Sequence, residues 1–168
     1  MKKNFIAHVK QNTDGNWAEP QYLCDHLNGT ADKASKFAYE FGNKDWGELA
    51  GFWHDLGKFI PAWQKYLCRK SGFDPEAHIE ESNNRPNHST SGAVLAIQKF
   101  EKNYKDAARI LSYVIGGHHS GLPDWEPQLH SRIMDENHYL IKDDLEKVKQ
   151  VDEAKQFLDK SIPSSIPA

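Results

Sequence analysis

The sequence predicts an all-α protein. Apolar residues recur at helical spacing in several segments, few windows alternate as a strand would, and Gly or Pro stands where most of these segments end. The chain has 168 residues, of which 38% are hydrophobic and 27% are charged, a composition typical of a globular protein with one core. We expect residues 1–160 to form one compact domain and the Ser/Pro-rich residues 161–168 to be a linker or a cut end.

The first half of the chain predicts an irregular entry followed by three helices. Residues 1–20 carry Gly, Asn, Asp and Pro and favour no regular element. A helix is expected over residues 30–41, whose Ala and Phe residues share one face. A second helix is expected from Asp45, a suitable cap, to Gly57, which ends it. A proline at position 61 suits the first turn of a short third helix through residue 67.

The second half predicts a loop and further helices. Residues 71–87 are polar, with two prolines and paired Asn residues, and predict the loop. Helical spacing returns over residues 88–100, and a strongly apolar helix is expected over residues 106–115, before a Gly-rich turn that ends in Pro. Residues 137–160 are charged and carry apolar residues at looser helical spacing.

Charge and cysteine content narrow the classes of function. The formal net charge is -3, which argues against a domain that grips nucleic acid by its own bulk charge, although bound cations could supply positive charge. No apolar run is long enough to cross a bilayer, and the basic start of the sequence is not followed by the apolar segment expected of a signal peptide. Cys24 and Cys68 fit neither a disulfide framework nor a paired-cysteine metal pattern, which favours a reducing compartment. We therefore expect a cytoplasmic protein without membrane contact.

The stretch GFWHDLGK sets His54 beside Asp55 among large apolar residues, and ionisable groups in such surroundings require a partner. A carboxylate has two oxygens and can bridge two cations, while a neutral imidazole supplies one nitrogen, so the pair suits a site for one or two metals. Lys58 follows about one helical turn later, near enough to meet an anion held by the metals. A surface pair or a capped helix end remains the alternative, because His-Asp dipeptides are common by chance.

Further histidines stand at the ends of predicted helices. His118 and His119 follow the apolar helix, where the helix dipole alone would favour one histidine. His88 opens another predicted helix, and His26 precedes the first one, where a lone His is more often structural. The combined set of five histidines and one aspartate is His26, His54, Asp55, His88, His118 and His119. This nitrogen-rich set suits Mn, Fe, Co, Ni or Zn better than Ca or an all-oxygen Mg site. The other histidines, His8 among them, are expected at the surface.

The motifs together resemble a known family. HDLGK preceded by LAGFW, then PAWQKYL, HSTSGA and IGGHHSGLPD, occur in the order found in the HD nuclease domain of the CRISPR-associated type I helicase-nuclease. The resemblance covers residues 25–125 and implies a compact helical HD-domain bundle. It also implies a metal-dependent nuclease that cuts single-stranded DNA in CRISPR interference. Its implied partners are a helicase domain, fused or separate, and the RNA-guided surveillance complex.

The resemblance also implies roles for individual residues. Up to two divalent ions, transition metals or Mg, would be held by His26, His54, Asp55 and a later Asp at one position, and by Asp55, His88, His118 and His119 at the other. Asp55 and Lys58 would be catalytic, with Lys58 contacting the scissile phosphate or ordering the nucleophilic water, and Ser89 would be a further contact to nucleic acid. No stretch after residue 122 resembles the one that carries the family's late Asp. We therefore expect the late Asp to lie beyond residue 168. The metal position formed by Asp55, His88, His118 and His119 should then have the more complete set of protein ligands.

Two other functions stay open at this point. A generic HD phosphohydrolase would act on nucleotides or cyclic dinucleotides, and would need pocket residues for a base and a ribose. A non-catalytic module would use the metals for stability and dock partners. The sequence indicates no such pocket residues, and the intact lysine and full set of histidines argue against the non-catalytic module. Because ligating imidazoles must be neutral, activity is expected to fall below about pH 6.5.

Overall fold

A computed structural model describes residues 5–74, 86–100, 102–119 and 139–161, together with residues 121, 124, 126, 128, 131, 133 and 163; of residues 139–142 only the backbone is described. Most of the loop expected over residues 71–87, and most of the last eight residues, therefore lie outside the described part. Among the described residues, no helix combines the length and hydropathy that a membrane span requires.

The architecture is all-α, as predicted, with one small sheet. The elements in chain order are β1 (Ile6–His8), β2 (Gln21–Tyr22), α1 (Leu23–Tyr39), α2 (Lys44–Trp53), a 3-10 helix (Leu56–Phe59), α3 (Pro61–Ser71), α4 (Thr90–Phe100), α5 (Lys105–Gly117), α6 (Tyr139–Lys149) and α7 (Asp152–Leu158). Strands β1 and β2 pair antiparallel, with Ile6 opposite Tyr22. Residues 1–20 were expected to be mostly irregular, and β1 is the one strand among the described residues of that range; strands this short leave little alternation in the sequence.

Helix α1 begins seven residues earlier than predicted, at Leu23 rather than at residue 30. Its buried stripe starts with Leu23 and Leu27 and continues through Ala31, so the helical period extends across the Asn-Gly pair that suggested a break. Gly29 lies exposed within this helix. His26 is consequently part of the first turns of α1 and does not precede the helix, so its side chain has a fixed direction.

Two glycines of α2 allow that helix to lie unusually close to α1. A Cβ atom built on Gly47 would stand 2.4 Å from the carbonyl oxygen of Ala34, and one built on Gly51 would stand 2.4 Å from Cα of Ala31. Both distances are far below van der Waals contact, so only glycine fits at these two positions. This close contact brings the C-terminal end of α2 beside the N-terminal half of α1.

Replacing Gly29 by alanine is expected to raise the free energy of unfolding by about 0.5–1 kcal/mol, because alanine costs less entropy in a helix and no atom lies within 4 Å of the new Cβ. Replacing Gly51 by alanine is expected to lower it by about 1–3 kcal/mol through overpacking against α1. Urea denaturation of the two variants measures both values. A Gly51 variant as stable as the Gly29 variant would contradict the close contact between α1 and α2.

Helix α2 ends earlier than expected, at Trp53, and Gly57 lies inside the following 3-10 helix. The N-cap is Asn43, and Asp45 lies in the first turn, where its charge favours the helix dipole. Trp53 is fully buried, and its indole Nε1 donates a hydrogen bond to the carbonyl oxygen of Phe157, 3.0 Å away. The core therefore fixes the chain immediately before His54.

The remaining helices largely match their predictions. Helix α3 has Pro61 at its start and ends at Gly72, which adopts a left-handed conformation with φ of 79°. Helices α4 and α5 pack against each other, and α4 is buried along almost its whole length. Helix α4 begins just after His88, and α5 ends just before His118, so both helices direct their ends towards the end of α2.

Candidate metal centre

Three groups from two helices meet on one side of the Asp55 carboxylate. The Nε2 atoms of His26 and His54 lie 3.0 and 3.1 Å from Asp55 Oδ2, and 3.0 Å from each other. His26 arrives from α1, while His54 and Asp55 follow α2. The three atoms form a nearly equilateral triangle, and the side chain of Asp55 is only 3% exposed.

Three further imidazoles lie on the other side of the same carboxylate. His118 Nε2 is 3.4 Å and His88 Nε2 is 3.6 Å from Asp55 Oδ1. His119 completes the group, with its Nε2 atom 2.6 Å from that of His88. The potential ligand atoms of Asp55, His88, His118 and His119 all lie within 4.8 Å of one another. One carboxylate thus faces a different set of imidazoles with each oxygen.

Backbone carbonyl groups orient two of these rings. His54 Nδ1 lies 2.8 Å from the carbonyl oxygen of Gly51, and His118 Nδ1 lies 2.6 Å from that of Ile115. A carbonyl oxygen only accepts hydrogen bonds, so each Nδ1 carries a proton. Metal binding requires a neutral imidazole, and in that form the Nε2 lone pair of each ring is directed at the centre. Such a hydrogen bond to the outer ring nitrogen is typical of histidines that bind metals.

The geometry fits divalent cations. Two ligands bound at about 2.1 Å to one ion are separated by about 3.0 Å at a right angle and about 3.4 Å at a tetrahedral angle, close to most of the separations seen here. Asp55 Oδ1 is buried and makes no hydrogen bond among the described residues, an arrangement that costs free energy unless a ligand compensates it. The short contact between His88 and His119 likewise needs a shared proton or a cation. The residues therefore fit the metals expected from the sequence.

Residues 18–165 match the protein family described as Cas3, HD domain. The chain belongs to the Cas3 HD domain family. The resemblance noted over residues 25–125 is confirmed and extends to almost the whole chain. This family is one of metal-dependent nucleases, and its context is the CRISPR-associated helicase-nuclease. No protein of curated function matches the chain in sequence.

The Lys58 ammonium of this Cas3 HD domain is buried against the centre. Its Nζ atom lies 2.8 Å from Asp55 Oδ2 and 3.3 Å from the carbonyl oxygen of Ala7, and its side chain is 2% exposed. The ammonium also lies 4.9 Å from the ring centroid of Trp63. The structure therefore holds the lysine beside the carboxylate, close to the expected position of an anion bound by the metals.

The charge state of Asp55 follows from its surroundings. Burial alone would raise its pKa, but the contacts with the imidazoles of His118, His26 and His54 outweigh desolvation and hold its pKa far below the ordinary value of 3.8. Asp55 is therefore an anion throughout the range in which enzymes work, and offers both oxygens as ligands.

A stability measurement tests this pKa. Because the folded-state pKa of Asp55 lies below the unfolded one, its contribution is complete above pH 3.8 and is lost as the pH falls further. We expect the difference in unfolding free energy between the natural protein and Asp55→Asn, in chelator, to shrink as the pH falls below that value. A difference that instead shrinks between pH 7 and pH 5 would contradict a lowered pKa.

Ser89 has a different environment from the one that a contact to nucleic acid suggests. Its side chain is 7% exposed, and its hydroxyl lies 3.4 Å from Asn87 Oδ1. The same oxygen accepts a hydrogen bond from the backbone N–H of Ser89, 3.1 Å away. Asn87 Oδ1, and not the Ser89 hydroxyl, accepts hydrogen bonds from the backbone N–H groups at the start of α4. The predicted contact of Ser89 with nucleic acid stays a prediction.

His8 is exposed, as expected, but it also lies beside the centre, which was not expected. Its ring centroid is 4.8 Å from that of His26, and His8, His26 and Asp55 form a second group of potential ligands. Desolvation of its inner edge, together with the nearby Lys58 ammonium, lowers the pKa of His8 to about 4. The apolar run before His8 could have indicated a strand, but no local pattern says where that strand docks.

The late Asp ligand that the resemblance implies has no counterpart among the residues that the structure describes. Among the described residues, Asp55 is the acidic residue in both groups of potential ligands. The sequence after residue 122 has six aspartates, none of which was expected to be this ligand: Asp124, Asp135, Asp143, Asp144, Asp152 and Asp159. Of these, Asp135 lies outside the described residues. The location of a late Asp ligand remains a prediction.

Proposed function

We propose that this Cas3 HD domain, with residues 1–160 as its folding unit, hydrolyses phosphodiester bonds of single-stranded DNA in CRISPR type I interference. The observation that carries the proposal is one buried carboxylate whose two oxygens face two sets of imidazoles. Divalent cations bound there would supply Lewis acidity towards phosphodiester oxygens and a water of lowered pKa. The nitrogen-rich ligands favour Mn, Fe, Co, Ni or Zn over Mg.

The side chains of the domain have separate tasks in this proposal. Asp55 keeps its negative charge between the two sets of imidazoles and would hold both cations. His54 and His118 keep their Nε2 lone pairs directed inwards, because their outer nitrogens donate to backbone carbonyls. The Lys58 ammonium, 2.8 Å from Asp55 Oδ2, is placed to contact the scissile phosphate or to order the nucleophilic water.

The burial of the shared carboxylate supports a single-stranded substrate. The side chain of Asp55 is 3% exposed, and those of His26, His54 and His118 are 15%, 14% and 20% exposed, whereas His119 is exposed and would meet the incoming strand. A net charge of -3 provides little bulk attraction for DNA. We therefore propose that a helicase domain, fused or separate, and the RNA-guided surveillance complex deliver an already opened strand.

A panel of substrates tests this function. The purified domain is incubated with a single-stranded oligonucleotide, the matching duplex, nucleotides and cyclic dinucleotides, each with Mn²⁺, Co²⁺, Ni²⁺ or Mg²⁺ and with chelator. We expect cleavage of the single strand with transition metals, and none with chelator or with Asp55→Asn. Turnover of nucleotides without cleavage of DNA would instead support a generic phosphohydrolase, and metal binding without any turnover would support a docking module.

Replacing Lys58 by methionine separates binding from chemistry. We expect cleavage to fall by about 10²–10³-fold, the usual loss when one group that stabilises transition-state charge is removed, while the number of bound Mn²⁺ ions stays unchanged. Lys65→Met is the matched control, because Lys65 is exposed on α3. Unchanged cleavage by Lys58→Met, measured at saturating Mn²⁺, would exclude the proposed contact with the phosphate.

A further inference from the structure

Strand β1 carries His8 to the side of the centre where Asp55 Oδ2 lies. Its ring packs edge-on against His26, with centroids 4.8 Å apart, and its Nε2 atom lies 3.4 Å from Lys58 Nζ. Potential ligand atoms of His8, His26 and Asp55 all lie within 4.8 Å of one another. Ligands on opposite sides of one ion lie about 4.2 Å apart, so this limit includes the separations found around a single metal.

Several contacts hold this strand in place. Gln64 in α3 accepts a hydrogen bond from the backbone N–H of Ile6 at 2.9 Å, and its amide nitrogen donates to the carbonyl oxygens of Ile6 and Lys58 at 2.9 and 2.7 Å. Ala7 is fully buried. The backbone on the N-terminal side of His8 is therefore anchored to the same segment that carries Lys58, and the imidazole is presented by an ordered element rather than by a loose end.

We infer that His8 is a protein ligand of a divalent transition metal held together with His26 and Asp55 Oδ2. This inference rests on the proposed function, because it concerns the same centre. The side of the carboxylate that faces Oδ1 has three imidazoles of its own, whereas the Oδ2 side has His26 and His54. His8 brings the Oδ2 side to the same number of imidazoles, and it does so from a segment that the sequence motifs do not include.

A narrower role for His8 is to hold the Lys58 ammonium through the contact of its Nε2 atom. Two variants distinguish the roles. Glutamine at position 8 presents an amide oxygen that accepts a hydrogen bond from the ammonium but binds soft divalent metals poorly. Alanine at position 8 removes both functions. If His8 only holds the lysine, His8→Gln behaves as the natural protein; if His8 is a ligand, both variants lose the same metal.

The test counts bound metal and does not depend on cleavage of DNA. The full chain is titrated with Co²⁺ and with Mn²⁺, and the bound ions are measured by elemental analysis after gel filtration and by the Co²⁺ absorption spectrum. We expect two ions per chain in the natural protein and in Lys10→Ala, an exposed neighbour of the strand. We expect His8→Ala and His8→Gln to bind the second ion at least about 10-fold more weakly, because even the loss of a residue that orients a ligand costs that much.

The outcomes separate this inference from the proposed function. Two ions with natural affinity in His8→Ala, or recovery of the second ion in His8→Gln, would overturn the role of His8 and leave the nuclease proposal intact. A single ion in the natural protein would also overturn it. If neither the natural protein nor any variant binds an ion, the result contradicts both the role of His8 and the proposed nuclease function. Far-ultraviolet circular dichroism confirms that each variant is folded.

Discussion

Replacing Asp55 by alanine is expected to abolish cleavage of single-stranded DNA and, in chelator at pH 8, to lower the free energy of unfolding by about 3–5 kcal/mol. Both effects have the same origin. The carboxylate is the group shared by the two sets of imidazoles, and it also neutralises the Lys58 ammonium, which is 2% exposed. Removing it leaves a buried cation without its anionic partner. Urea denaturation and an oligonucleotide cleavage assay measure the two effects.

A second substitution separates stability from function. Asp55→Ala combined with Lys58→Met removes both charges, and a buried ion pair replaced by apolar groups is often neutral in stability. We expect the double variant to recover at least half of the lost unfolding free energy while cleavage stays absent. If Asp55→Ala alone is as stable as the natural protein, then Lys58 does not depend on this carboxylate, and the contacts described around Oδ2 are wrong.

Replacing Gly57 by alanine is expected to weaken the binding of metal by the group that contains His88. A Cβ atom at this position would stand 2.5 Å from both the Cα atom and the carbonyl oxygen of His88, and the N–H of Gly57 donates to that oxygen at 3.2 Å. The two backbones must therefore separate, which moves His88 away from Asp55. We expect a loss of about 1–3 kcal/mol in unfolding free energy and about a 10–100-fold loss in metal affinity.

The Gly29→Ala variant is the matched control for Gly57→Ala, because it adds the same methyl group to open space in α1. Isothermal titration with Mn²⁺ gives the affinities of both variants. Natural affinity in Gly57→Ala, combined with a lowered unfolding free energy, would show that the position of His88 does not depend on the close contact with Gly57.

Local pattern was enough to predict the helices but not all of their ends. The apolar period predicted the bounds of α4 and α5 to within about two residues, because each helix carries an unbroken apolar face and has residues at its ends that favour a start or a stop. It misplaced the start of α1, because the Asn-Gly pair at residues 28–29 suggests a turn. In the folded protein, burial of Leu23 and Leu27 outweighs the turn preference of that pair. The local pattern also gave Gly57 the role of a helix stop, whereas its backbone contact with His88 accounts for the glycine.

The candidate centre was predictable for the residues that motifs connect. The adjacent pairs His54-Asp55 and His118-His119, and the family resemblance, indicated six ligands, and the structure brings the five imidazoles among them around the carboxylate of the sixth, Asp55. His8 was missed because its proximity depends on how β1 docks against α3 and the 3-10 helix. Such a contact between segments more than fifty residues apart leaves no signal in the local sequence.

The central claim is that the two oxygens of Asp55 are each part of a separate metal site. Anomalous scattering from a crystal soaked in Mn²⁺ tests it most directly. The account predicts two peaks about 3.5–4 Å apart on opposite sides of the Asp55 carboxylate, the stronger one bounded by His88, His118 and His119. The absence of any peak within coordination distance of Asp55, at a Mn²⁺ concentration that supports cleavage, would contradict it.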